Sequence, residues 1–369
     1  MKTMGIIFSN IYDSSLGELA NHRTVASIPF GGRYRQIDFI LSNMSNSAVY
    51  NVGIITKYNY RSLMDHLGSV DDWDLKRKNE GVVIIPPFSS GNMGIYKGKL
   101  EALYSAFEFI NNRLYDYVII SDSTILCNID FRHAVESHIK SGADVTAICN
   151  RESDKDQRHP LIIYADKKNN VESVLVDSFA DENAYVGMGM FIMKRETLVK
   201  VLEESHAMGY VHFERDYLQR LFNLSKLRIS VFEYKGYVLR NEDIKSYFKN
   251  NMLLLDEEVR KGLFGKKTVY TKVRDEIPSF YGENSAVSDC LIADGCRIYG
   301  DVSRSILFRD VTVEEGASIK NCIVMQGTKI GKNAKLQCVI IDKNVKVTDN
   351  AELKGTCDHP FIVKKGATV

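Results

Sequence analysis

The sequence of 369 residues lacks most of the features that mark specialised proteins. It has 6 prolines and no low-complexity tract, which argues against fibrous and disordered architectures. No apolar run approaches the roughly 20 residues of a membrane-spanning helix. The opening segment, Met1–Ser9, is too weakly apolar for a secretory signal. Charge of one sign is not in excess either. Lys+Arg 48 against Asp+Glu 47 leaves +1, so neither nucleic acid nor an anionic membrane is expected as the main partner. Small anionic ligands stay open, because they need only a local basic pocket. The 7 cysteines are odd in number and form no CxxC pair. Those of the last third (Cys290, Cys296, Cys322, Cys338, Cys357) sit in apolar periodic sequence. They read as small core residues rather than disulfides or metal ligands. A cytoplasmic protein is expected.

What is present divides into two parts with different periods, as the length favours. Up to about residue 250, short apolar runs alternate with helical stretches. Residues 4–8, 52–56, 82–85, 117–120, 145–149 and 188–193 read as strands. Residues 35–48, 99–111, 131–140 and 195–204 read as helices. This alternation predicts a mostly parallel α/β sheet covered on both faces. Ligands of such sheets sit beyond the carboxyl ends of the strands, here after Phe8 and Ile120.

The C-terminal part carries a 17-residue repeat in four columns. Cys296, Val313, Ile330 and Val347 form one column, and Val302, Ile319, Leu336 and Leu353 a second. Ile306, Ile323, Ile340 and Cys357 form a third, and Gly300, Ala317, Ala334 and Ala351 a fourth of small residues. An apolar residue every sixth position predicts a hexapeptide parallel β-helix, with coils stacking about 4.8 Å apart. A β-sandwich would alternate every second residue instead. Roughly four coils are expected between Glu283 and Cys357. The expected division is an α/β domain over 1–258, a linker over 259–282 and the β-helix over 283–369.

The run Ile28–Asn43, reading IPFGGRYRQIDFILSN, closely resembles the PFGGKYRxIDFxLSN stretch of bacterial ADP-glucose pyrophosphorylases. Ser62–Leu67, Ile95–Gly98, Tyr270–Pro278, Leu291–Cys296 and Ile306–Arg309 resemble further elements of that family. The resemblance spans nearly the whole chain. It implies a nucleotidyltransferase domain, a left-handed parallel β-helix and a tetramer. Active members transfer an adenylyl group from Mg-ATP to glucose-1-phosphate and release pyrophosphate. That chemistry needs a glycine-rich phosphate turn, cations on the leaving group, carboxylates for Mg²⁺ and a cation for the sugar phosphate.

Several positions depart from this pattern. Where the family reads GGxGxRL, this chain has Ser9–Leu16, SNIYDSSL, with Ser15 in place of the arginine. Val25 stands where the family has lysine. Ser123 takes the place of the metal-binding aspartate, leaving Asp122 as a residual metal candidate unless it is only a turn aspartate. Arg240 replaces the second carboxylate, and an arginine would repel a cation. Val171–Phe179 holds no lysine for the sugar phosphate, and Gly187 replaces a serine. The site is therefore expected to be degenerate, with no catalytic residue and no cofactor on this chain. Mg²⁺ would belong to a catalytic partner.

Arg33, Arg35 and His66 lie in well-kept motifs. They are candidate contacts for an anionic sugar-phosphate effector, or simply satisfy carboxylates such as Asp38. Lys99, where the family has threonine, is a further candidate phosphate contact, or a surface lysine at a helix start. The resemblance thus points to a regulatory subunit that joins a catalytic ADP-glucose pyrophosphorylase subunit in a mixed tetramer, or to a homo-oligomer. Alternatives are an active enzyme with altered residues, and a sugar-phosphate or nucleotide sensor without chemistry. An acyltransferase is disfavoured, because Glu283–Cys357 contains no histidine to act as base.

Overall fold

The computed structural model of the protein describes residues 2–9, 15–78, 80–87, 96–151, 157–166 and 170–369. The loop residues Ile11, Tyr12 and Asp13 and the motif residue Ile95 lie outside these.

The N-terminal part is built on a nine-stranded sheet. Its elements are β1 (Thr3–Phe8), α1 (Gln36–Asn46), β2 (Val52–Ile55), α2 (Arg61–Leu67), β3 (Val82–Ile85) and α3 (Lys99–Ser105). Then come β4 (Tyr117–Asp122), α4 (Phe131–Ser141), β5 (Val145–Asn150), β6 (Ile162–Ala165), β7 (Val171–Leu175), β8 (Tyr185–Lys194), α5 (Arg195–Met208) and β9 (Ile229–Glu233). The order is β7-β6-β8-β4-β1-β2-β3, with β5 also paired to β8 and β9 to β5. β1, β2, β3 and β4 pair in parallel, but β8 runs antiparallel to β4, β5 and β6. The sheet is therefore mixed rather than mostly parallel. Strand direction was hidden because β8 is as continuously apolar as a parallel strand, being buried on both faces.

The helix expected over 99–111 is two pieces, α3 and a turn at Phe107–Ile110. Ser105 Oγ donates to the Ala102 carbonyl at 2.6 Å, a local bond that competes with the helix ladder at the break.

The expected linker is partly docked. Helices α6 (Ile244–Leu253) and α7 (Glu257–Phe264) follow β9, and α7 continues past Val259. The Asn128 amide donates to the carbonyls of Leu263 and Lys267 at 2.8 and 2.7 Å. Leu263 and Val269 are buried.

The C-terminal part is a parallel β-helix of three five-stranded sheets, so five coils run from Phe280 to Val363 rather than four. The column Val302–Ile319–Leu336–Leu353 pairs as expected. Two other columns need correction. Ile298, not Cys296, pairs with Val313, because the second coil is two residues shorter than its neighbours. Ile362, not Cys357, follows Ile340, because the last coil carries an insertion. Corners recur in the left-handed region at Asp289, Arg304, Asn321 and Cys338, and again at Gly295, Asp310, Gly327 and Asn344. Gly, Asn and Asp tolerate that geometry best; Arg304 and Cys338 are the exceptions.

The two parts share one apolar cluster, in which Leu16, Val25, Phe30, Phe39 and Phe248 meet Ile306, Ile323, Met325 and Ile340. Full burial of one such side chain contributes about 1.5–3 kcal/mol. Beside it, Arg23 Nη2 lies 2.6 Å from both Asp342 carboxylate oxygens, and both side chains are buried. The β-helix is thus fixed to the α/β part by apolar packing and one enclosed ion pair.

Candidate functional sites

Two places hold the sequence-predicted residues, and they differ in charge bookkeeping. The first lies at the carboxyl end of β4. Asp122, its last residue, is 3% exposed. The bulge in β8 near Gly187–Met190 makes room for its side chain. Gly189 there has φ +61, and a Cβ would lie 2.3 Å from Asp122 Oδ2, so only glycine fits.

Lys99 is not a surface lysine, although it also lines the larger cavity beside the site. Its Nζ is buried and donates to Asp122 Oδ2 at 2.9 Å and to Glu214 Oε1 at 2.5 Å. Nor is Asp122 a turn aspartate; it is one arm of a buried ion network. Glu214 comes from a π-helical segment, Phe213–Gln219, started by Asp216 accepting from the Val211 and His212 amides. No sequence signal announced this residue.

Arg240 donates to the Gly187 carbonyl at 2.9 Å and to Asn150 Oδ1 at 2.5 Å. Glu242 completes the lining of the same small cavity. Burial, opposed by Arg240 and reinforced by Asp243 and Asp122, raises the Glu242 carboxyl above its ordinary range. Ser123 is buried, and Val25 is a core residue in a short 3-10 turn. Ser15 is exposed just before the buried Leu16.

A divalent metal does not fit this arrangement. An ammonium already sits on both Asp122 and Glu214, and the cavity left among the side chains is about 10 Å³. That is scarcely one water, whereas Mg²⁺ wants six oxygens and keeps several waters. Among the described residues no cluster of three His, Cys, Asp or Glu could hold a metal. A larger cavity of about 370 Å³ lies alongside, lined by Lys57, Lys97, Arg158, His212 and Arg215 with Asp177 and Glu214.

The second place is the junction with the β-helix. Here Pro29–Phe30 pairs with Tyr34–Arg35 across a turn in which Gly31 and Gly32 have φ +62 and +85. The turn is pinned by Tyr247, whose hydroxyl donates to the Pro29 carbonyl, and by Asn251, which accepts from the Gly31 amide. It delivers Arg33 and Arg35 to a cleft of about 40 Å³. Lys272, Arg274, Arg309, Lys343 and His66 also line it, and no Asp or Glu does.

The Asp38 question resolves residue by residue. Asp38 accepts the Arg35 backbone N–H at 2.9 Å and lies 2.6 Å from His66 Nε2. The Arg35 guanidinium instead reaches Ser62, at 2.6 Å to its carbonyl. Burial lowers the His66 imidazole pKa against the pull of Asp38. Burial likewise lowers Arg35 to about 10, and a cationic neighbourhood adds to it.

Arg309 is 6% exposed, and its Nε and Nη2 have no hydrogen-bond partner among the described residues. The Asp294 carboxylate stands 3.7 Å away, beyond hydrogen-bond reach. Such a buried donor set awaits an acceptor. Arg274 and Arg309 lay inside family-like stretches without being singled out. Lys343 gave no local signal, because its partners come from other elements.

The nucleotidyl transferase family model matches residues 14–235. The GlmU-like C-terminal hexapeptide model matches residues 277–356. The chain is 34% identical over 365 residues to the glycogen biosynthesis protein GlgD of Bacillus subtilis (strain 168), covering 98% of this chain and 96% of that protein. It is 30% identical over 358 residues to a glucose-1-phosphate adenylyltransferase of Bacillus mycoides (strain KBAB4), covering 96% and 95%. The same figures hold for the enzyme of that name from Bacillus anthracis.

Proposed function

The chain belongs to the ADP-glucose pyrophosphorylase family of glycogen biosynthesis, and from that premise we propose that it is a regulatory subunit, inactive alone, that modulates a catalytic paralogue. The observation that carries this reading is the Lys99 ammonium bridging Asp122 and Glu214 where the family's metal chemistry would be. The site is held shut by its own cations, while the scaffold around it is intact. Mg²⁺ on this reading is bound by the partner, in a mixed oligomer and in the cytoplasm. No helix among the described residues is long and apolar enough to cross a membrane.

The junction cleft supports the regulatory half of the proposal. Six Arg and Lys side chains without a lining carboxylate suit a phosphoryl group, and Arg309 offers unused N–H donors. A cleft of about 40 Å³ admits a phosphoryl group but not a nucleotide, so a sugar phosphate reaching in from the rim is the fitting effector.

A second reading, a sugar-phosphate sensor at the old substrate end, is favoured by the 370 Å³ cavity and its cations.

The test is an assay with ATP, Mg²⁺ and glucose-1-phosphate on the purified chain, alone and with a catalytic subunit. No turnover alone, with altered kinetics and effector response in the mixture, is the expected outcome. Robust turnover by the isolated chain would sink the proposal. Calorimetry with fructose bisphosphate on wild-type and Arg309→Met chains separates the junction cleft from the sensor reading.

A further inference from the structure

The last coil of the β-helix carries an insertion. Ile323 and Ile340 pair at the regular spacing of the repeat, but Ile340 pairs next with Ile362. The extra residues form a loop, 355–360, between Glu352–Lys354 and Phe361–Val363. Gly355 opens the loop by donating to the Gln337 carbonyl, and the Thr356 N–H closes it by donating to the His359 carbonyl while the His359 N–H donates to the Thr356 hydroxyl. This loop carries Cys357 back over the corner at Cys338, whose φ is +52. The two Sγ atoms stand 3.5 Å apart. Cys338 is buried and Cys357 exposed.

We propose that Cys338 and Cys357 are a thiol oxidation site that closes to a reversible disulfide with small-molecule disulfides as oxidant. A disulfide needs S–S near 2.05 Å, and rotation of the Cys357 side chain on its exposed loop supplies the remaining approach. The steps balance. The Cys357 sulfur, as thiolate, attacks one sulfur of the oxidant, forming a mixed disulfide and expelling one small thiolate. The Cys338 sulfur, giving its proton to solvent, attacks the Cys357 sulfur and expels the second small thiolate. The two protein sulfurs are oxidised by two electrons, and the oxidant is reduced to two thiols. Burial, with the neighbouring Cys357, raises Cys338 to about 11, so the exposed sulfur reacts first.

The location gives the bond a consequence. Cys338 belongs to the apolar cluster that joins the two parts of the molecule. The next residue of the loop, Asp358, pairs with Lys245 of α6 at 2.9 Å. Cys357 and Asp358 line a cleft of about 550 Å³ together with Phe248, Met252 and Leu255 of the α6 region. Oxidation therefore fixes the loop beside the junction of the two parts.

The test uses the full chain, reduced and then exposed to cystine, followed by alkylation and peptide mass mapping. The expected result is loss of two alkylatable thiols of the 7, a cross-linked 338–357 peptide pair, and a rise in the unfolding midpoint that dithiothreitol reverses. Cys357→Ser, a change at an exposed loop position, should leave every remaining thiol alkylatable and abolish the midpoint rise. The proposal is overturned if Cys357 stops at a stable mixed disulfide while Cys338 remains alkylatable. Pairing of either sulfur with the half-buried Cys290 would overturn it equally.

Discussion

The carboxyl end of β4 and the junction cleft both gather cations, but they use them in opposite ways. At the first, Lys99 and Arg240 are consumed by internal partners: Asp122 and Glu214 for one, the Gly187 carbonyl and Asn150 for the other. At the second, Arg33, Arg35, Lys272, Arg274, Arg309 and Lys343 line a cleft without any carboxylate. A network that satisfies itself excludes ligand; one that leaves donors over invites it. Both follow from placement rather than from composition, since the chain as a whole is nearly neutral.

The largest expected effect comes from the pair that holds the junction in place. Asp342→Ala leaves Arg23 charged and enclosed, which costs about 3–5 kcal/mol. Urea unfolding should show that loss, and a change near zero would mean that the ion pair does not hold the β-helix to the α/β part.

Lys99→Thr attacks the other region. It leaves Asp122 and Glu214 facing each other without a cation, for a loss of about 3 kcal/mol or more. Here Mn²⁺ or Mg²⁺ should raise the unfolding midpoint of the variant and leave the wild type unmoved, because an ion bound only by the folded state stabilises it. If the variant is as stable as wild type in chelator, the network is not what keeps the site closed.

Arg309→Met should cut affinity for a phosphate ester about 10- to 100-fold, the equivalent of one charge-assisted hydrogen bond of ~1.5–3 kcal/mol. Stability should change little, since the buried Nε and Nη2 lack hydrogen-bond partners among the described residues and the Asp294 carboxylate stands 3.7 Å away. Unchanged affinity by calorimetry would remove the junction cleft from consideration as an anion site.

The repeat architecture was readable because inward aliphatics recur at fixed spacing, and Val302, Ile319, Leu336 and Leu353 do stack. The columns failed only where the second coil is short and the last is long, as a fixed period must. The mixed sheet was not readable, because buried strands of either direction have the same composition. The ion network was readable in one half. Lys99 and Asp122 stood in motif positions, but Glu214 reaches them from a π-helical turn, about 115 residues away from Lys99, that no local pattern encodes. The cysteines of the last third were read as core residues, which fits Cys296, Cys322 and Cys338 but not exposed Cys357.

The smallest effect is the most specific to the cleft. Lys343 is lowered to about 7, by burial first and then by Arg35, Arg23 and Arg274, with Asp342 opposing. Its folded value therefore lies below the ordinary lysine value of about 10.4. Between the two values the unfolded chain holds more protons, so without ligand this residue makes stability rise with pH from about 7 upward. Anion affinity runs the other way. A bound phosphate favours the ammonium, so binding should weaken as pH rises through about 7, where the phosphate itself is already largely dianionic. Lys343→Met should weaken binding a few-fold at the low end of that range and flatten its pH dependence above it. Calorimetry across the range, in buffers of different ionisation enthalpy, would also count the proton taken up with the anion. If wild type and variant show parallel profiles with no proton uptake, Lys343 is only a wall of the cleft and the anion is held by the other cations that line it.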